Sequence, residues 1–322
     1  LAAKVTSPRA MAYPIVVFNS QAWERSEVVK GRTVIYGDIS AKYLVPNNLQ
    51  FKLIDHDGND VPFKTVTRLN MISDSIELEF MADKVPAFGA KVYYIVPEEP
   101  QKFFPSIKVT DGELEDKINP QRYAGMNSYE NDFFMLEIDR VTGELNLYDK
   151  INSRQLLNKA GIVGLEEKRG DYICNMDLTG RVVPGLLKRI ELVDNNAVLA
   201  RIKITGSVYG HDFEQTVTLE AARPVVTIEN KINWRGGSYV RLEQTFPFVS
   251  QEDAEVRYGV PFGAVPYPET IYTNELVFSE IWTPERGSEP DREIEKIRLV
   301  SKWISIGDSR SGMVIGCDHR MW

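Results

Sequence analysis

Apolar residues in this chain come in short runs of Val, Ile, Tyr, Phe and Thr, often alternating with polar ones and separated by Gly, Asp, Asn and Pro. Alternation with period two marks a half-buried strand, and the 3.6-residue period of an amphipathic helix is almost absent. The pattern predicts an all-β chain. Residues 15–18 read as a buried strand, 27–29 and 33–37 as a meander, and 49–54 and 61–67 as strands flanking a tight turn. In that turn Asp57-Gly58 supplies the positive φ a hairpin needs. Residues 75–80 and 90–96 then close a first sandwich.

The segment 97–105, Pro-Glu-Glu-Pro-Gln-Lys-Phe-Phe-Pro, holds three prolines and cannot sit inside a central strand, so it reads as a linker. Beyond it the expected strands are 133–138, 144–148, 186–193, 197–207, 214–219, 224–232, 239–246, 255–260, 300–306 and 312–315. A short helical piece is expected near 112–117. Strands as long as 197–207 suit a large sandwich. The expected division is therefore a smaller β-sandwich over residues 1–105 and a large one over 106–322.

Length agrees, since 322 residues make about two domains at about 150 residues each. Apolar and charged contents of 43% and 26% are ordinary for a folded chain and exclude disordered and collagen-like classes. With 46 acidic against 38 basic residues and no Lys/Arg stripe, nucleic acid is not an expected partner. Apolar runs such as 14–18 fall far short of the roughly 20 residues that cross a bilayer, so no membrane span is expected. No leader is visible before Leu1, and the chain stops at Trp322 just after a strand-like run; we expect both ends to be boundaries within a longer protein. No Asn-x-Ser/Thr acceptor occurs, and the compartment is left open.

Candidate chemistry is sparse. Cys174 and Cys317 are too few for a disulfide scaffold or a Cys-x-x-Cys metal site; they either pair with each other or stay as two buried thiols. Asp55, Asp57, Asn59 and Asp60 suggest an oxygen cage for Ca²⁺, but Gly58 is misplaced and no Glu closes the loop, so a solvated turn is expected. Residues 307–312 resemble a nucleophile elbow, yet Ser311 stands where its second Gly belongs, and a turn between strands is expected. Asp318-His319 reads as structural rather than as a metal-ligand pair. Glu130 with Asp132 and Glu137 with Asp139 are carboxylate pairs of the kind a glycosidase uses, though neither pairing is specific. Trp23, Trp234, Trp282, Trp303 and Trp322 are suited to stacking on sugar rings, and most are expected in the core.

Several strings, in the same order, resemble the C-terminal β region of glycoside hydrolase family 38, the α-mannosidases. They are 15–29 (Ile-Val-Val-Phe-Asn-Ser-Gln-Ala-Trp-Glu-Arg-Ser-Glu-Val-Val), the hairpin from Glu130-Asn131-Asp132-Phe133-Phe134 through Thr142-Gly143 to Tyr148-Asp149-Lys150, and the strand from Glu220 to Trp234. Residues 255–263 and 312–315 complete the series, so the similarity runs from about residue 14 to the end.

The resemblance implies an enzyme that hydrolyses α-mannosides with retention, using an Asp nucleophile, a carboxylic acid/base and a Zn²⁺ that holds sugar hydroxyls. It places that machinery in an N-terminal α/β barrel and helical bundle. This chain has neither a His-x-Asp motif nor the β/α alternation of a barrel, so no catalytic residue, metal ligand or cofactor is assigned to it. Zinc belongs to the parent enzyme, and the 322 residues alone are expected to be inactive. The family likeness further implies a large sandwich of the galactose-mutarotase-like kind that packs against the protein's own N-terminal catalytic domain and lends a tyrosine to the α-mannoside site. The nearest match to that tyrosine's loop is Tyr172, in Arg169-Gly170-Asp171-Tyr172, with Arg235, Arg241 and Arg257 as weaker candidates. A freestanding carbohydrate-binding sandwich is the alternative.

Overall fold

A computed structural model describes residues 12–34, 51–66, 75–96, 98, 103–110, 126–169, 176–235, 239–249, 254–260, 263–266 and 302–317. All regular structure among them is strand. The expected helix near 112–117 lies outside the described residues.

The first sandwich has two antiparallel sheets. One has the order β1 (Tyr13–Phe18), β7 (Ala90–Val96), β3 (Lys52–Ile54), β4 (Asp60–Val61), and the other β2 (Arg25–Val34), β6 (Ser75–Val85), β5 (Phe63–Thr65). Period-two alternation along β6 turns Ile76, Leu78, Phe80 and Ala82 inward, where they meet Ile15, Leu53, Tyr93 and Ile95. Phe80 and Tyr93 pack edge to face with ring centroids 4.8 Å apart. The run expected as one strand over 61–67 is divided at Pro62: β4 pairs with β3 in one sheet, while β5 pairs with β6 in the other. Proline cannot donate to a ladder, so it serves as the corner where the chain changes sheets.

The larger assembly contains a seven-stranded sheet in the order β13 (Met176–Pro184), β12 (Arg154–Arg169), β11 (Leu145–Asp149), β10 (Phe134–Asp139), β9 (Met126–Glu130), β8 (Lys108–Thr110). β18 (Val240–Thr245) pairs with the second half of β12. Facing it is a sheet of β14 (Leu186–Asn195), β15 (Leu199–Val208), β16 (His211–Glu220) and β17 (Val226–Asn233). Tyr129, Leu136, Ile138, Leu145 and Ile162 from one sheet meet Ile202, Ile204, Phe213, Val217 and Leu219 from the other in a single buried cluster. A third sheet, β20 (Gly263–Pro266), β19 (Glu255–Val260), β21 (Trp303–Gly307), β22 (Gly312–Gly316), packs Met313 onto that core.

Within the β14–β17 sheet, close packing of neighbouring strands needs glycine at one point in particular, where Gly206 on β15 pairs with Phe213 on β16 and lies beside Leu186 on β14. A Cβ on Gly206 would stand 2.4 Å from Phe213 Cζ and 2.6 Å from the Leu186 carbonyl oxygen. The phenyl ring of Phe213 therefore lies where a side chain at 206 would be.

Candidate functional site

Four polar residues within the family-like strings hold turns. Asn19 is buried, donates from Nδ2 to the carbonyls of Trp23 (2.6 Å), Val85 and Pro86 (both 3.1 Å), and accepts from Gln21 N. Asn131 accepts from Phe133 N and Phe134 N and donates at 2.7 Å to the Glu220 carbonyl on the facing sheet. Asp139 accepts from Val141 N and Thr142 N, and Gly143 at φ 77° completes that hairpin. Asp149 does the same for Ile151 N and Asn152 N. A short side chain that caps its own turn is what Asn and Asp supply best.

The remaining candidates follow the same trend. Asp55 caps the hairpin through Asp57 N and Asn59 N, and Asp308 caps the 308–311 turn through Arg310 N and Ser311 N, so neither the calcium cage nor the nucleophile elbow forms. Burial tends to raise the Glu130 carboxyl, but Lys150 and Lys108 outweigh it and hold the group below the ordinary carboxylate range, which suits an ion-pair partner and not a general acid. Asp132 is exposed beside it. Arg235 meets Asp212 at 2.8 Å, Arg241 meets Glu167 at 3.4 Å, and Arg257 meets Glu255 at 3.0 Å. Tyr172, Cys174, Trp282, Asp318, His319 and Trp322 lie outside the described residues. Among the described residues no cluster of three or more His, Cys, Asp or Glu side chains fits a metal ion.

Two surfaces of the large sandwich gather polar groups. On the outer face of the four-stranded sheet a shallow groove of about 490 Å³ is lined by Lys188, Thr205, Asp212, Glu214, Lys231 and Asn233. Lys188 and Arg235 hold Asp212 below its ordinary range. Lys203, and after it Lys231, does so for Glu214 against a smaller opposing effect of burial. Both carboxylates are therefore ionised partners of neighbouring cations.

The second surface lies along β17, the edge strand of its sheet. Trp234, 48% exposed, stacks on the buried His211 ring with centroids 4.2 Å apart and 17° between planes. Two rows along, the buried Gln215 donates to Asn230 Oδ1 (2.9 Å) and Gln244 Oε1 (2.7 Å), and Asn230 donates to the same Gln244 oxygen at 3.1 Å. Ile232 lies between, 40% exposed. A fixed aromatic face and planar amides, about 13 Å apart along the strand at about 3.3 Å per residue, are groups that sugars recognise. Sequence reasoning found Trp234 but not the amides, because Gln215, Asn230 and Gln244 meet only through the pairing of β16 with β17 and the facing of β18.

The model of the glycosyl hydrolases family 38 C-terminal domain matches residues 129–320, more than half of the chain. The chain belongs to family 38. No curated protein matches it in sequence. Among solved structures, an alpha-mannosidase from Enterococcus faecalis V583 is similar over 96% of this chain, with a TM-score of 0.66 and 15% identity. At that identity the likeness speaks for the fold. This family 38 chain spans 38% of the length of that α-mannosidase. The matched family region takes in the larger assembly from the end of β9 onward, including the turns capped by Asn131, Asp139, Asp149 and Asp308.

Proposed function

We propose that these residues are the non-catalytic C-terminal portion of a family 38 α-mannosidase that cleaves α-mannosidic bonds in glycans. The observation that carries this reading is the family match over 129–320 together with the structural likeness over nearly the whole chain. In this reading residues 1–105 and 106–322 are two units, the second of the galactose-mutarotase-like kind, and the separation of the two buried clusters supports the division. The pair docks on the parent's catalytic domain, where zinc and the reacting carboxylates reside, and Tyr172 forms part of the sugar-site wall. The engagement of Asn19, Asn131, Asp139 and Asp149 in holding turns supports a supporting role. Tyr172→Phe in the full-length enzyme tests the wall. A severalfold rise in KM for an α-mannoside, with folding unchanged, is expected; unchanged KM and kcat would remove Tyr172 from the site.

The edge carrying Trp234 and Asn230 favours a second reading, a carbohydrate-binding module. Isothermal titration of the chain with mannose oligosaccharides separates the two. Micromolar binding that Trp234→Ala abolishes belongs to the module, while no binding by the chain alone belongs to the supporting role.

A further inference from the structure

The two sandwiches meet through side chains that alternate in charge and cross the contact twice. Glu79 on β6 pairs with Arg201 on β15, Lys64 on β5 pairs with Asp194 on β14, and Arg201 Nη1 stands 3.4 Å from Asp194, joining the two crossings. Glu79 is 3% exposed and its second oxygen, Oε2, has no hydrogen-bond partner. The chain entering the large sandwich is stitched to the same place: Ser106 N and Oγ donate to the carbonyls of Asn196 and Ala197, and Asn195 Nδ2 donates to the Ile107 carbonyl.

Beside this contact, at the end of β16, lies Glu220. It is 8% exposed, its Oε2 accepts no hydrogen bond, and Arg223 Nη1 is 3.4 Å away. The charged groups around the contact are Glu27 and Lys30 on β2, Lys64 on β5, Glu79 on β6, Asp194 on β14, Arg201 on β15 and Arg223 after β16. Of these, Glu27 and Glu79 belong to the first sandwich and repel an ionised Glu220 across the contact.

We propose that Glu79, Arg201, Asp194 and Lys64 form a clasp that sets the first sandwich on the second, and that Glu220 gates it, closing it when protonated and loosening it when ionised. Burial raises the Glu220 carboxyl; Arg223 opposes that rise, and Glu27 and Glu79 add to it. A carboxyl with a higher pKa in the docked state favours docking in its neutral form. That contribution, which Glu27 and Glu79 supply only in the docked state, is present at low pH and is lost as pH rises through the raised value. One proton changes the docking equilibrium by at most about tenfold per pH unit in this window.

The test is hydrogen exchange of the β5–β6 and β14–β15 segments in the protein between pH 4.5 and 8, corrected for intrinsic rates. Protection of these segments falls severalfold with rising pH in the native protein. In Glu220→Gln it stays at its acid value, and in Glu27→Gln the transition moves to lower pH. Arg201→Met lowers protection at every pH. The same pH dependence in Glu220→Gln as in the native protein, or none in the native protein, would overturn the gate; unchanged protection in Arg201→Met would overturn the clasp.

Discussion

The guanidinium of Arg154 grips both carboxylate oxygens of Asp308, 154 positions away, at 2.8 and 2.9 Å. Arg154 opens β12 and Asp308 caps the turn between β21 and β22, so this fork fastens the third sheet to the seven-stranded one. The Asp308 side chain is wholly buried and that of Arg154 is 14% exposed. Removing one member leaves a buried charge uncompensated, which costs about 3–5 kcal/mol. Arg154→Ala should lower the stability of the large-sandwich transition in urea by that order, with Arg154→Lys intermediate because a lysine cannot reproduce the fork. A loss below about 1 kcal/mol would show that the pair contributes little.

Asn19 offers a sharper contrast between near-isosteric residues. Its amide nitrogen faces three carbonyl oxygens, so only a donor fits. Asn19→Ala should cost about 1–3 kcal/mol in the first sandwich. Asn19→Asp should cost more, since a carboxylate turned toward three carbonyls can donate to none of them. Chemical denaturation of both variants checks the order, and an Asp variant as stable as the native protein would refute the donor role.

Gly206→Ala is predicted to be among the costlier single-methyl additions in the chain. The added carbon would stand 2.6 Å from a backbone oxygen, which cannot move aside as a side-chain tip can. Overpacking of this kind costs about 1–3 kcal/mol. Thermal unfolding should report it, and Gly206→Ala combined with Phe213→Leu should recover part of the loss by vacating the ring.

Acid should weaken the ion pair at Glu130. Its carboxyl is held below 4.5 in the folded chain by Lys150 and Lys108 against the opposing effect of burial. The stabilisation is present above the ordinary carboxylate range and is lost as pH falls through the lowered value. Partial exposure keeps it below about 1 kcal/mol. Lys150→Met should make the stability of the large sandwich less steep with pH between about 5 and 3. An unchanged slope would place the acid sensitivity elsewhere.

Alternating segments were readable in sequence because each buries one face: β16, expected over 214–219, extends to His211–Glu220 with the same alternation. The longest strand, β12, was not expected. Leu156 and Leu157 are adjacent and both buried, and the chain can do this because Leu156 is the extra residue where the register with β11 shifts between Leu147–Leu157 and Tyr148–Gln155; a second shift follows between 157 and 160, where Lys159 stands at φ 61°. Such a bulge erases period two from the sequence, and Gly161 and Gly164 blur it further. Pro62 was visible as a residue but not as a corner, since a corner exists only once both sheets do. The family strings were legible as text. Their physical content was not, because the partners of Asn19 at 85 and 86 and of Asn131 at 220 are brought near only by the fold.

Release of nitrophenol from p-nitrophenyl α-mannoside, with zinc supplied, decides whether these residues are the non-catalytic part of an α-mannosidase. The assay compares the full-length protein that carries this chain with the 322-residue chain alone. Turnover is expected from the full-length protein and none from the chain alone. Hydrolysis by the isolated chain, or a folded full-length protein that leaves α-mannosides untouched, would contradict it.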